Sequence, residues 1–356
     1  MSTITIGVDL AKSVFSVCEM DGSGRVLRRQ DLRREAFGLW LAQVPAGTVV
    51  AMEACSGAHY WARRCLEYGL QPRLMAAQLV KPYRKSQHGK NDRNDAEAIA
   101  TTARQGNMHF VPIKDIDQQA RLAWHRVREG YKAEALAISN RLRGLLAEFG
   151  IVMAKSDKAL RRVLADLHEH AALPGEFKAL VRDLATHWQQ VHKGFNACDA
   201  RIEAHARDDQ RCVRLRGIVG IGAITADAMV ASLGKAQEFR NGRQLSAWLG
   251  MVPSQYSSGG HARLGAISCR GDGYLRTLLI QGARSSLQRA KAVATEKATP
   301  EQLWIRSLAA RLSFGKVLVA IANKHARQLW VMLAHDVDYD PCANLRHPMH
   351  RPTQAA

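Results

Sequence analysis

The sequence predicts a mixed α/β N-terminal third followed by a helical middle and a mainly helical C-terminal part. Three observations predict this. Short apolar runs separated by turn residues fill positions 1–115, apolar heptads run through 131–149 and 181–202, and glycine-punctuated apolar runs resume at 215. At about 150 residues per domain, a chain of 356 residues holds two or three domains. Its 47% apolar content is enough to give each a core. The expected division is 1–115, 116–208 and 209–340, with 341–356 as a disordered tail.

Residues 3–8 (TITIGV) are apolar and β-branched, as a buried strand requires. Residues 13–20 (SVFSVCEM) make a second strand. Asp21-Gly22-Ser23-Gly24 is turn chemistry, so these strands and RVLRRQDL at 25–32 form an antiparallel meander. A helix is expected over Arg34–Ala42, a strand over Thr48–Met52, a helix over Tyr60–Tyr68 and a short strand over Pro72–Met75. From Asp92 the run DRNDAEAIATTARQG reads as a helix, with Asn91 as its cap and Gly106 as its stop. The order β-β-β-α-β-α-β-α is that of the ribonuclease H-like fold.

Four carboxylates fall at informative places in that order. Asp9 closes the first strand and Glu53 follows the Thr48–Met52 strand. Asp92 and Asp95 are three apart and share a helix face. Hard oxygen ligands of this kind suit Mg²⁺, and two such ions can clamp both sides of a phosphodiester displacement. Taken singly, an Asp at a strand end serves a turn, and acids in a first helical turn complement the helix dipole. Their joint occurrence in fold order points to catalysis. Glu97, two residues beyond Asp95, faces elsewhere.

In the middle, Tyr131, Ala135, Ile138, Leu142, Leu145 and Phe149 alternate spacings of 4 and 3. Val181, Leu184, Trp188, Val191, Phe195, Cys198 and Ile202 do the same. With breaks near Gly150 and Leu173-Pro174-Gly175, this predicts an antiparallel coiled-coil arm, closed within one chain or pairing two chains.

The stretch LRGIVGIGAITADAMVASL at 215–233 resembles a helix-hairpin-helix motif. There the backbone N–H groups around Gly220 and Gly222 would meet a DNA phosphate without sequence preference. The plain alternative is a glycine turn between core helices. Pro253 to Gly260 reads as a loop, and Arg263, Arg270, Arg276 and Arg284 surround it. Ser257 and Ser258 lie in that loop beside Gly259 and Gly260. No framed His gives them a triad, but a serine in a basic glycine loop can approach a phosphodiester closely.

Charge narrows the partner. There are 51 basic and 32 acidic side chains, a formal net of +19. That excludes an acidic solvating protein and points to a polyanion, nucleic acid first. Residues 209–330 alone carry 18 basic and 6 acidic side chains. No apolar run approaches the roughly 18 residues of a membrane helix, so no membrane role is expected. MSTITIGVDL lacks a signal-peptide pattern, and seven scattered cysteines without a CxxC pair fit a reducing cytoplasm.

Together these segments resemble one family. GVDLAK at 7–12, MEACSG at 52–57 and KNDRNDAEAIA at 90–100 resemble the DEDD motifs of the insertion sequence one-ten / eleven-eleven class of transposases. GIVGIGAITA, AWLGMVPSQYSSGG and LGAISCRGDGYLRTLLIQGAR resemble its C-terminal motifs, in the right order. The resemblance implies a RuvC-like N-terminal domain, a coiled-coil middle and a C-terminal transposase domain. It implies a metal-binding tetrad on Asp9, Glu53, Asp92 and Asp95, holding Mg²⁺, two ions per site. It places the nucleophilic serine of the Tyr-x-Ser-Gly segment on Ser258, with Ser257 adjoining, and a covalent phosphoserine link to DNA as the intermediate. It further implies a homodimer or synaptic tetramer in which tetrad and serine come from different subunits. A non-coding bridge RNA would pair with donor and target DNA, and the protein would work on the bacterial nucleoid. A Holliday-junction resolvase or metal-dependent nuclease explains the acids but gives Ser258 no role. An actin-like sugar kinase would need a duplicated domain and a glycine-rich adenosine site, and the sequence has neither. A non-catalytic helix-hairpin-helix protein would leave the tetrad unused.

Overall fold

A computed structural model describes residues 4–84, 92–169, 171–256 and 263–342. The chain divides into two compact units, residues 1–116 and 117–356.

The first unit is built on a five-stranded mixed sheet in the order β3-β2-β1-β4-β5. Its strands are β1 (Thr5–Asp9), β2 (Val14–Met20), β3 (Val26–Arg33), β4 (Val49–Glu53) and β5 (Gln71–Met75). Helices α1 (Arg34–Leu41), α2 (Ala58–Glu67), the short α3 (Ala77–Val80) and α4 (Asp92–Ala103) complete it. β2 runs antiparallel to β1 and β3, while β1, β4 and β5 are parallel. Order and sense are consistent with a ribonuclease H-like domain, as the element order predicts.

Strand alternation sorts the side chains onto two faces. Ile6 and Val8 of β1, with Val50 and Met52 of β4, pack with Phe15, Phe37, Leu41 and Trp61 on one face. Ala51 of β4 points the other way, into a second cluster with Met75, Ile99 and Ala103 beneath α4. The same alternation puts Gly7 and Asp9, and Ala51 and Glu53, on the α4 side. Gly7 is where α4 crosses β1: a Cβ there would lie 2.2 Å from the Ala96 carbonyl oxygen and 2.6 Å from the Ala100 amide nitrogen. Only glycine opposite alanine lets the helix come this close.

The second unit starts with α5 (Ile116–Ala147), α6 (Asp157–Ala165) and α7 (Gly175–Asp208). The two long helices expected for the arm are present, with α6 added between them. Ala135, Ile138, Leu142 and Leu146 of α5 pack with Leu160 of α6 and with Val181, Trp188 and Val191 of α7. The heptad reading chose Leu145 and Phe149 for this stripe. Instead Leu146 is fully buried and Phe149 is 45% exposed. The stripe drifts because a helix of 3.6 residues per turn does not hold a strict 3.5-residue repeat where α6 adds a third surface.

Beyond the arm come α8 (Gln210–Leu215), α9 (Ala223–Leu233), α10 (Gly242–Trp248), a ribbon of β6 (Pro253–Gln255) and β7 (Leu264–Ile267), then α11 (Gly273–Ala292), α12 (Pro300–Arg311) and α13 (Phe314–His335). Helix α9 is buried from Thr225 to Leu233 and forms the centre of a core shared with α11, α12 and α13. The expectation of a loop from Pro253 is corrected. Pro253–Gln255 pairs antiparallel with Leu264–Ile267, so the serine segment joins the two strands of a ribbon. Strands of three and four residues containing proline and glycine leave no period to read. Of the expected tail, only residues 341–342 are described.

Candidate functional site

The acids meet at the C-terminal ends of β1 and β4. Val8 pairs with Met52 across these parallel strands, so the next residues, Asp9 and Glu53, emerge side by side. Helix α4 starts over the same point. Its first turn carries Asp92, exposed, and Asp95, buried. One carboxylate oxygen from each of Asp9, Asp92 and Asp95 lies within 4.8 Å of the other two. Glu53 is outside that trio but joins it through Arg84, whose Nη2 lies 3.2 Å from Glu53 Oε1 and whose Nε lies 3.1 Å from Asp95 Oδ1.

The charge is crowded. Burial, then the carboxylates of Asp95, Asp92 and Glu53, push the Asp9 carboxyl up to about 6, while Arg84 pulls it the other way. A cluster that resists its own ionisation this way favours a divalent cation, and carboxylate oxygens are the donors Mg²⁺ takes. By donor type and spacing these residues fit such an ion.

An ion pair braced by a serine hydroxyl holds the start of α4. Arg93 Nε donates to Asp31 Oδ2 of β3 at 2.9 Å, and Ser16 of β2 donates to Asp31 Oδ1 at 2.8 Å. These bonds hold the Asp31 carboxyl below its usual range. Glu97 is buried and pairs with Arg29, so it faces away from the cluster, as its spacing from Asp95 requires.

The basic candidates lie in the second unit. Ser258, with Ser257, Gly259 and Gly260, lies outside the described residues. The ribbon that carries them is closed at both ends: Tyr256 N–H donates to the Arg263 carbonyl at 2.9 Å, and Ser268 N–H to the Val252 carbonyl at 2.8 Å. Arg263 and Arg270 are exposed. Arg276 is half-buried and gives Nη1 to the Leu249 carbonyl at 2.9 Å, which fastens the end of α10 to the start of α11. Arg284 is exposed, 5.9 Å from the centre of the Phe314 ring.

The two hairpin glycines differ. Gly220 has φ +92°, and a Cβ there would lie 2.2 Å from the Gly282 carbonyl oxygen of α11. Ser286 Oγ also donates to the Val219 carbonyl at 2.6 Å. Gly220 is therefore a packing position. Gly222 caps α9 in the open, with no atom near where its Cβ would be.

Sequence reasoning missed two features. Arg84 is one; its only signal was the basic run KPYRK at 81–85, ahead of the acid pair. The other is a buried polar network around Asp227, which is fully inaccessible within α9. His125 Nε2 lies 2.8 Å from Asp227 Oδ2, and Arg121 Nε donates to Oδ1 at 2.8 Å. His125 Nδ1 lies 2.8 Å from the Tyr274 hydroxyl of α11. Burial would raise the Asp227 pKa, but hydrogen bonds from His125 and Arg121 outweigh it and the net direction is down. A single acid inside the apolar run ITADAMVASL was the available clue. The network binds α5, at the root of the arm, to α9 and α11.

Known proteins match both units. A transposase family model of the DEDD type of IS110 matches residues 6–151. A second, described as the transposase IS116/IS110/IS902 family, matches residues 212–298. A probable family 20 transposase of Pseudomonas aeruginosa is 42% identical over 96% of this chain and all of its own length. The transposase for insertion sequence element IS1111A of Coxiella burnetii is 37% identical over 94% of this chain and 90% of its own. The transposase for insertion sequence element IS1328 of Yersinia enterocolitica is 37% identical over 92% of this chain and 96% of its own. Acids gathered on a mixed sheet, a basic helical C-terminal part and these matches lead to one conclusion: the chain belongs to the IS110 family of DEDD insertion-sequence transposases.

Proposed function

We propose that this DNA transposase cuts and rejoins DNA by serine attack at a site whose metal-holding half is Asp9, Glu53, Asp92 and Asp95 and whose nucleophile is Ser258. The observation that carries the reading is the meeting of Asp9, Asp92 and Asp95 oxygens within 4.8 Å on one face of the sheet. Two Mg²⁺ ions are the proposed occupants; when bound, they supply Lewis acidity at the scissile phosphate.

The chain's own residues do the rest. Asp9 and Glu53 are held by paired strands and Asp92 and Asp95 by α4, so the cluster is preorganised on rigid elements. Ser258 Oγ forms a bond to phosphorus while the bond from phosphorus to the 3′ oxygen breaks. The hydroxyl proton ends on the leaving oxygen, which gives a phosphoserine link and a free 3′ hydroxyl. Arg263, Arg270 and Arg284, with the backbone at the exposed Gly222, bind backbone phosphates; Arg276 adds charge while fastening the ribbon's base.

The proposed layout keeps three parts: a RuvC-like catalytic domain over 1–115, an arm over 116–208 and a transposase domain over 209–340. Tetrad and serine from different subunits would complete each site, in a dimer that becomes a tetramer in the synaptic complex. A non-coding guide RNA would supply sequence choice by pairing with donor and target DNA, leaving the protein to grip backbone and shape.

The test is a denaturing gel of the full-length protein with DNA carrying the element's junction, Mg²⁺ and the flanking non-coding transcript. The wild type should give a protein–DNA adduct and Ser258→Ala none. An adduct that survives Ser258→Ala but not Ser257→Ala moves the nucleophile by one residue. Metal-dependent cleavage with no adduct in the wild type would favour the resolvase-like alternative.

A further inference from the structure

Among the described residues, Arg84 is a cation that reaches two of the acids. It follows the turn at Lys81–Tyr83, and its side chain is 36% exposed. Two of its contacts, to Glu53 at 3.2 Å and Asp95 at 3.1 Å, go to carboxylates on different elements, β4 and α4. Its charge also reaches Asp9. The guanidinium thus lies among the carboxylates assigned above to metal.

We propose that Arg84 is the resident counter-ion of the acidic cluster, and that a divalent ion displaces it onto a DNA phosphate. The inference rests on the metal-binding reading above. A guanidinium and a divalent ion repel each other and compete for the same oxygens. Arginine's planar fork fits carboxylate and phosphate equally well, so the displaced group keeps a use for its donors beside the cluster, where the scissile phosphate must lie. The half-exposed side chain has room to leave. Before metal arrives, Arg84 neutralises acids that would otherwise repel both one another and the DNA.

A purely structural latch makes the opposite prediction. If Arg84 only held the carboxylates together, its removal would loosen the cluster and weaken metal binding, and misfolding would weaken it too. Competition alone predicts tighter binding. In calorimetric titration of the full-length protein with Mg²⁺ and then Mn²⁺, without DNA, Arg84→Gln should bind about three- to tenfold more tightly than wild type. Asp95→Asn serves as the control and should lose binding. Equal or weaker binding by Arg84→Gln overturns the counter-ion role and leaves the metal site standing. No binding by the wild type overturns the metal site and the inference with it. The phosphate role is read separately, by anisotropy on a short duplex of arbitrary sequence. Mg²⁺ should raise the wild type's affinity, and Arg84→Gln should show about a threefold smaller gain. A full gain in that variant overturns the displacement onto phosphate.

Discussion

At the end of β1, Asp9 is a carboxylate held among carboxylates, and its place follows from strand alternation. Being on the same face as Gly7 puts it under α4; being at the strand's end puts it in reach of Asp92 and Asp95. Buried titratable groups elsewhere in the chain answer to the same physics. His325 of α13 is 1% exposed, and its Nδ1 has no hydrogen-bond partner. Burial pushes it down to about 4, against the pull of Glu301 and with the push of Lys324. The unfolded chain takes up a proton at this histidine below about 6.5, and the folded protein does not until about 4. Its contribution to stability is therefore complete above 6.5 and lost as pH falls through that window. Urea unfolding at pH 7 and pH 5 should show about 2 kcal/mol of loss that His325→Leu removes. An equal loss in that variant would put the acid sensitivity elsewhere. At this scale the meeting of Asp9, Asp92 and Asp95 was legible, not from any one of them but from their joint occurrence in fold order, at a strand end and in a DxxD turn. Arg84 was not, because its partners are fixed by the path of the chain rather than by spacing.

Among elements, the approach of α4 to β1 decides whether the acids meet. Gly7 faces Ala96 and Ala100, and a side chain at Gly7 would fall inside ordinary contact distance of the α4 backbone. Gly7→Ala should lower stability by about 1–3 kcal/mol or more as the helix moves outward. It should also weaken metal binding, because Asp92 and Asp95 ride on the displaced helix. Thermal unfolding and a metal titration on the same preparation check both; unchanged metal affinity would mean that the cluster does not depend on this crossing. The order of strands and helices in the first unit was readable because each strand is an apolar run bounded by turn residues. The β6–β7 ribbon was not, because Pro253–Gln255 and Leu264–Ile267 are too short for alternation to show. The arm lay between these cases: two heptad stretches announced α5 and α7, but α6 shifted the buried stripe from Leu145 to Leu146.

For the whole molecule, charge governs DNA binding, which family membership implies. The net charge is +19, and residues 209–330 hold 18 basic against 6 acidic side chains. The acids of the cluster belong to the less basic first unit; on the reading proposed above, one part would supply the phosphate grip and another the metal ligands. DNA affinity should fall steeply with salt, by about 0.9 logarithmic units per decade of salt for each phosphate contacted. Anisotropy titrations should show Arg263→Ala and Arg284→Ala each reducing that slope by about one. A shallow slope, unmoved by both, would mean the basic surface does not face DNA. No helix among the described residues is long and apolar enough to cross a membrane. On the function proposed above, the cluster on β1, β4 and α4 binds the catalytic metal. Anomalous diffraction from crystals of the full-length protein grown with Mn²⁺ tests it most directly. A peak at coordination distance from Asp9, Asp92 and Asp95 is expected; a bound ion elsewhere, with those carboxylates bare, would overturn the metal-binding role of the cluster.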